Sequence, residues 1–344
     1  MRRFARDSDW EVLAASRHPP PQLPPRTTHL ALDLSQPIDE KTAANAFADV
    51  THLVYAAVAE GATGLIAGWH DEERMQLNLR MLRHVLDPLC RHAHGLRHVS
   101  LMQGTKAYGA HLPGAKLSVP LRESLPRHPH ANFYWLHQDY LSERQAGTEW
   151  SWTIFRPPMI VGEAMGSSTN VLLALGIYAA LQRETHAPFA YPGARSPLAQ
   201  ALDANLLGDA LVWAAEAPAA RNEIFNLENG EIFAWRDLWT VIGREFGLTA
   251  MDGGPATLSE AVKKRGDEWG AIVKKYGLTS SPDLTHFAGG SFELADLCLG
   301  ALVELPPSFI STIKLRRAGF TSYVDTEEMV VSWLRRYREM RWLP

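Results

Sequence analysis

Tyr134 stands at the start of a helical pattern and is followed one turn later by Gln138. A phenol that acts as an acid near neutral pH needs a cation beside it, and a neutral amide does not supply one. The cation must come from another segment. Where an early strand ends, Ser16, Arg17 and His18 follow rather than the glycines of a phosphate-binding turn. Two His-x-His pairs, His92/His94 and His128/His130, lack the Cys or carboxylate pattern that completes a metal site, so no metal is expected. Gly61-Ala62-Thr63-Gly64-Leu65-Ile66-Ala67-Gly68 follows a strand in the manner of a phosphate loop. A working loop opens its helix directly, whereas here the helical pattern starts only near Asp71, which favours an ordinary loop.

The elements that must hold these residues alternate. Strand patterns at 10–15, 28–34, 51–57, 96–101 and 152–157 are interleaved with helical ones at 39–47, 71–94 and 133–145. That alternation predicts an α/β fold with a parallel sheet. An apolar helix at 170–183, an amphipathic one at 203–215, a strand at 223–227 and a helix at 235–246 follow, and the chain is mostly helical beyond 257. In an open parallel sheet, ligands lie beyond the carboxyl ends of the strands. A nucleotide-binding version opens with a strand, a glycine-rich turn and a helix whose N-terminus meets the pyrophosphate. Here the first readable strand ends in Ser16-Arg17-His18, as a second Rossmann strand does when its arginine meets the 2′-phosphate of NADP. The reading is a doubly wound Rossmann-like sheet whose first strand and glycine-rich loop are missing, with residues 2–7 as the tail of a helix. Loss of a central strand leaves two neighbours without ladder partners. Lower stability is expected, or closure of the gap by rearrangement or association, a homodimer included.

Composition narrows the function. The 344 residues are 46% hydrophobic and 21% charged, with 34 basic and 38 acidic side chains, so no basic field exists to hold a nucleic acid. No run approaches the ~18 apolar residues of a membrane span. Two widely spaced cysteines, Cys90 and Cys298, suit a reducing compartment, and the cytoplasm is expected.

From residue 10 onward the chain resembles the extended short-chain dehydrogenases/reductases (the NAD-dependent epimerase/dehydratase-like group). Within them it is similar to the progesterone 5β-reductase and iridoid-synthase branch. The blocks that carry the likeness are Thr51-His52-Leu53-Val54-Tyr55, Gln103-Gly104-Thr105-Lys106-Ala107-Tyr108-Gly109, Asn132-Phe133-Tyr134-Trp135, Arg156-Pro157-Pro158-Met159-Ile160-Val161-Gly162 and Phe225-Asn226-Leu227. The resemblance implies a catalytic pair at Lys106 and Tyr134, with the lysine delivered from a strand end. It departs from the branch at Gln138-Asp139, where Glu-Asp is common.

The implied reaction is reduction of an enone, or of a related carbonyl, by NADPH, with NAD the lesser candidate and a small hydrophobic carbonyl compound as substrate. The same mapping sets Ser16 and Arg17 against the 2′-phosphate and Asp33 and Leu34 against the adenine. Ala56 and Ala57 line the next strand end, Ile160 meets the carboxamide, and Ser167, Ser168 and Thr169 cap the nicotinamide side. It divides the chain into a cofactor domain, 1–165 with a return at 200–227, and a substrate lobe, 166–199 with 228–344. Taken singly, Lys106 is a solvated strand-end lysine and Arg17 a surface turn residue. Three alternatives stay open: an inactive remnant that serves as a binding or scaffold protein, a sugar-nucleotide epimerase/dehydratase-type enzyme, and a mis-assigned start, with the strand and glycine loop encoded upstream.

Overall fold

The computed structural model describes residues 1–20, 22–59, 71–167, 169–193, 195–254, 256–301 and 304–344. Ser168 and the glycine-bearing stretch 61–68 lie outside the described residues. The first half runs β1 (Val12–Ser16), β2 (Thr27–Ala31), α1 (Glu40–Phe47), β3 (His52–Tyr55), α2 (Glu72–His92), β4 (His98–Met102), α3 (Phe133–Gln145), β5 (Ser151–Arg156) and β6 (Met159–Val161). The second half begins with α4 (Val171–Glu184), β7 (Phe189–Tyr191), β8 (Leu198–Ala199), β9 (Ala201–Asp203), α5 (Ala204–Glu216) and β10 (Glu223–Asn226). After β11 (Phe233–Ala234), α6 (Trp235–Glu245) and β12 (Ala250–Asp252), the chain is helical to its last long helix, Thr326–Glu339. Residues 2–7, expected as a helix tail, contain a short 3-10 turn, Phe4–Arg6.

Helix starts follow the side chains available to cap them. Asp39, Asp71, Asn132, Asn170 and Asp203 each accept a backbone N–H of the first turn of the helix that follows. Pro157 and Pro158 stop β5, since neither offers an N–H to a ladder.

The central sheet is parallel, in the order β10-β5-β4-β3. One face is covered by α1, α2 and α3 through Ala43, Leu82, Leu86 and Leu141. The other is covered by α5, with Phe155 and Phe225 meeting Leu206 and Ala210. A third core lies under α4, where Phe189 stacks on Trp239 at 4.2 Å between ring centroids. β1 and β2 form a separate parallel pair. Among the described residues β1 pairs only with β2, and β3 only with β4.

Candidate active site

The carboxyl ends of β4 and β5 and the start of α3 converge. β4 continues through Gln103 and Gly104 into a 3-10 turn, Thr105–Tyr108, which carries the half-buried Lys106. Tyr134 sits in the first turn of α3. Two side chains lock these turns together. Asn132 accepts the Tyr134 N–H (3.1 Å) and donates to the Lys106 carbonyl (3.1 Å). Gln103 donates to the Tyr134 carbonyl at 3.0 Å. Gly104 has extended backbone (φ −176°), which any residue adopts, so its requirement is space. A Cβ there would stand 3.3 Å from the Tyr134 hydroxyl and 3.4 Å from the Pro157 carbonyl oxygen.

Burial pushes the Tyr134 phenol up to about 12, and the Arg156 guanidinium opposes that rise. The sequence reading expected a cation to bring this phenol down; in the structure desolvation outweighs the charge. The phenol therefore keeps its proton at neutral pH and is a hydrogen-bond donor.

Arg156 is the functional residue that the sequence reading missed. It is 4% exposed, at the end of β5. Its Nε donates to Gln103 Oε1 (2.9 Å) and a terminal nitrogen to Gln138 Oε1 (3.4 Å). Its guanidinium also lies 5.1 Å from the centroid of the Tyr108 ring. Gln138, the neutral amide one turn after Tyr134, is thus hydrogen-bonded to a cation. The available signal was an arginine closing a strand, Ser151–Arg156, whose residues are nearly all buried. Tyr108 itself is structural: its hydroxyl donates to the fully buried Asn226 at 2.7 Å, tying the Lys106 turn to β10.

Ser16 ends β1, with its hydroxyl donating to the His18 carbonyl at 2.7 Å. Arg17 is exposed beyond it, close enough to Asp33 to help lower that carboxyl, whose main support is the Ser35 backbone N–H. Leu34 holds His84 Nδ1 through its carbonyl at 2.9 Å. Ala56 is exposed just past β3, and Ala57 packs on the core below. Ile160 is 37% exposed on β6. Ser167 and Thr169 share a hydroxyl–hydroxyl bond of 2.9 Å. His128 and His130 meet Nδ1 to Nδ1 at 3.0 Å, and no group of three or more His, Cys, Asp or Glu among the described residues is placed to hold a metal ion.

A parallel sheet covered on both faces by helices, with a tyrosine, a lysine and an arginine at its carboxyl edge, defines an α/β protein of the Rossmann type. A PRISE-like Rossmann-fold domain is matched at residues 34–295, and the chain belongs to that family. It is 28% identical to an (S)-8-oxocitronellyl enol synthase of Antirrhinum majus, over 97% of this chain and 86% of that one. It is 29% identical to the 3-oxo-Delta(4,5)-steroid 5-beta-reductase of Arabidopsis thaliana, with the same coverage. Among solved structures, the UDP-glucose 4-epimerase of Thermotoga maritima with UDP-glucose superposes with a TM-score of 0.63 at 13% identity, covering 96% of this chain and 91% of that one. RMD from Pseudomonas aeruginosa complexed with NADPH gives 0.63 at 12%, covering 92% and 90%. These likenesses are of fold. No helix among the described residues is long and apolar enough to cross a membrane.

Proposed function

We propose that this chain is an NADPH-dependent reductase of carbon–carbon double bonds conjugated to a carbonyl, acting on small hydrophobic compounds. The observation that carries the reading is Tyr134, a protonated phenol beside a buried guanidinium at the carboxyl edge of the sheet. Relatives named for enol synthesis and for steroid 5-beta reduction support it. The donor set fits a dinucleotide at both ends. Arg17 and Ser16 would take the adenosine 2′-phosphate, with Asp33 and Leu34 along the adenine. Ala56, Ala57 and Ile160, with Ser167 and Thr169, would line the nicotinamide half. The helical part, 166–199 with 228–344, would form the substrate lobe.

NADPH, when bound, supplies the hydride that adds to the β-carbon of the enone. Negative charge then gathers on the carbonyl oxygen, and Tyr134 donates a hydrogen bond to it. Such preorganised donors count most where water is excluded. Lys106 orients the phenol from the adjoining turn, and Arg156 keeps a positive potential behind it. The enolate takes its proton at the α-carbon from water.

The test is NADPH oxidation by the purified protein with a panel of small enones, beside a fluorescence titration of NADPH. An enzyme binds the cofactor at micromolar concentration and turns over at least one enone; a scaffold protein does neither. Replacing Tyr134 by Phe is expected to cut turnover by about tenfold or more.

A further inference from the structure

The paired histidines His128 and His130 stand one step from the turns of Lys106 and Tyr134. The His130 N–H returns to the His128 carbonyl across Pro129 at 2.8 Å, a three-residue turn that sets the two rings edge to face, 4.9 Å apart. Their Nδ1 atoms meet at 3.0 Å. Beyond the pair, His130 Nε2 lies 3.2 Å from Asn132 Nδ2. At the other end, the His128 ring rests on Gly109, where a Cβ would stand 2.8 Å from its Cδ2 atom. Gly109 closes the 3-10 turn of Lys106, so both ends of the pair reach that turn.

The hydrogen-bond network fixes where the protons sit. Two backbone groups orient the half of Asn132 that matters. Its Oδ1 meets the Tyr134 N–H, which only donates, and its Nδ2 meets the Lys106 carbonyl, which only accepts. The second Nδ2 hydrogen goes to His130 Nε2, so that nitrogen accepts and carries no proton. The His130 proton is then on Nδ1, directed at His128 Nδ1 (3.0 Å) and the His128 carbonyl (3.2 Å). A second proton on His130 can only go to Nε2, where it faces the hydrogens of the Asn132 amide. Two donors then oppose each other, and the contact is lost.

The charged and titratable groups around the pair come from four segments. Lys106 and His111 belong to the 3-10 turn and its continuation, with the His111 ring 5.0 Å from that of His130. Arg127 precedes the pair and is bound to Asp139 of α3 at 2.9 Å. The Trp135 ring of α3 is shared by His130, at 6.2 Å, and by the Arg156 guanidinium at the end of β5, at 5.6 Å.

We propose that His130 is a positioning residue for the reduction: its uncharged ring, steadied by His128, holds the Asn132 amide and through it the Lys106 and Tyr134 turns, and a proton on Nε2 releases them. This inference rests on the reductase reading and adds to it a site that is competent only while His130 is neutral. Tyr134 keeps its proton throughout the acid range, so its own ionisation produces no acid limb.

The experiment measures enone reduction between pH ~8 and pH ~5.5, on either side of the ordinary histidine range, in the parent chain, His130→Gln and His130→Leu. Glutamine offers Oε1 to the Asn132 amide and does not titrate; leucine offers no acceptor. The parent is expected to lose about tenfold in kcat on acidification, with the KM for NADPH little changed. His130→Gln should keep the alkaline kcat and flatten that decline, and His130→Leu should be about tenfold slower at both ends. Nitrogen NMR reads the same event without substrate. The Asn132 side-chain amide and the Tyr134 N–H should shift at the midpoint of His130 in the parent and stay still there in His130→Gln. Should leucine prevent folding, the glutamine variant carries the test. An active chain whose His130→Gln profile matches the parent's overturns the role of His130 alone, whereas a chain that reduces no enone overturns the reductase reading with it. A proton found on His130 Nε2 at neutral pH, or an Asn132 amide that ignores the His130 midpoint, also overturns the proposal.

Discussion

The Tyr134 hydroxyl lies against Gly104 so closely that a methyl group on that glycine would stand 3.3 Å from it. The Pro157 carbonyl limits the same space from the other side at 3.4 Å. The position of the phenol is therefore set by the absence of a side chain two residues before Lys106. Because the backbone at Gly104 is extended, alanine adopts it without strain. Gly104→Ala should leave the melting temperature nearly unchanged while displacing the hydroxyl by a few tenths of an ångström. A loss of about tenfold in kcat is expected, with little change in NADPH binding, and steady-state kinetics beside a cofactor titration checks both.

Arg156 gives a second, independent prediction. Its guanidinium serves two amide oxygens, of Gln103 and Gln138, and its charge opposes the rise in the Tyr134 pKa. Arg156→Met keeps much of the stem packing but strands both acceptors. A stability loss of about 1–3 kcal/mol is expected in urea unfolding. The alkaline limb of any phenol titration should also move to higher pH, which a purely structural role for Arg156 would not produce.

The sequence made the fold readable wherever a strand or helix had its own signal. β4, α3, β5 and β10 fall within a few residues of their hydrophobic patterns, because parallel strands buried on both faces leave nearly continuous apolar runs. β1 was legible too, from the strand pattern that runs into Ser16. The tuning of the site was not. That Gln138 reaches Arg156, eighteen residues along and on another element, is a tertiary fact with no local spacing to announce it. The net direction of the Tyr134 pKa was likewise out of reach, since desolvation depends on how tightly Gly104 and Pro157 close around the hydroxyl.

Arg17 carries the cofactor preference in the proposed function. It is exposed at the end of β1, and the carboxylate whose pKa its charge helps lower, Asp33, is equally solvated, so substitution there should not disturb the core. Arg17→Glu places a negative charge where the 2′-phosphate would lie. The KM for NADPH should rise about tenfold or more, while that for NADH changes little. Parallel kinetics with the two cofactors decides it: equal effects on both would remove Arg17 from phosphate recognition.

His98 and His137 make a prediction about pH that does not involve the reaction. Both are buried, and burial is the main reason each imidazole is lowered to about 4. The charges of His52 and Arg221 add to the effect at His98, while the Asn78 carbonyl, 2.9 Å from His137 Nε2, opposes it at His137. In the unfolded chain a histidine titrates near 6.5, so as pH falls the unfolded state takes up protons first. The stability contributed by these two residues is present above pH ~6.5 and is lost as pH drops from there through about 4. Its upper limit is about 3 kcal/mol for each group. Urea midpoints should therefore fall steadily between neutral pH and pH ~4.5. His137→Gln, which keeps an N–H for the Asn78 carbonyl but cannot titrate, should flatten that slope. Glu228 and Asp296, whose carboxyls burial raises, act in the opposite direction, and comparing the variant with the parent chain cancels them. An unchanged slope in the variant would show that His137 titrates alike in the folded and unfolded states.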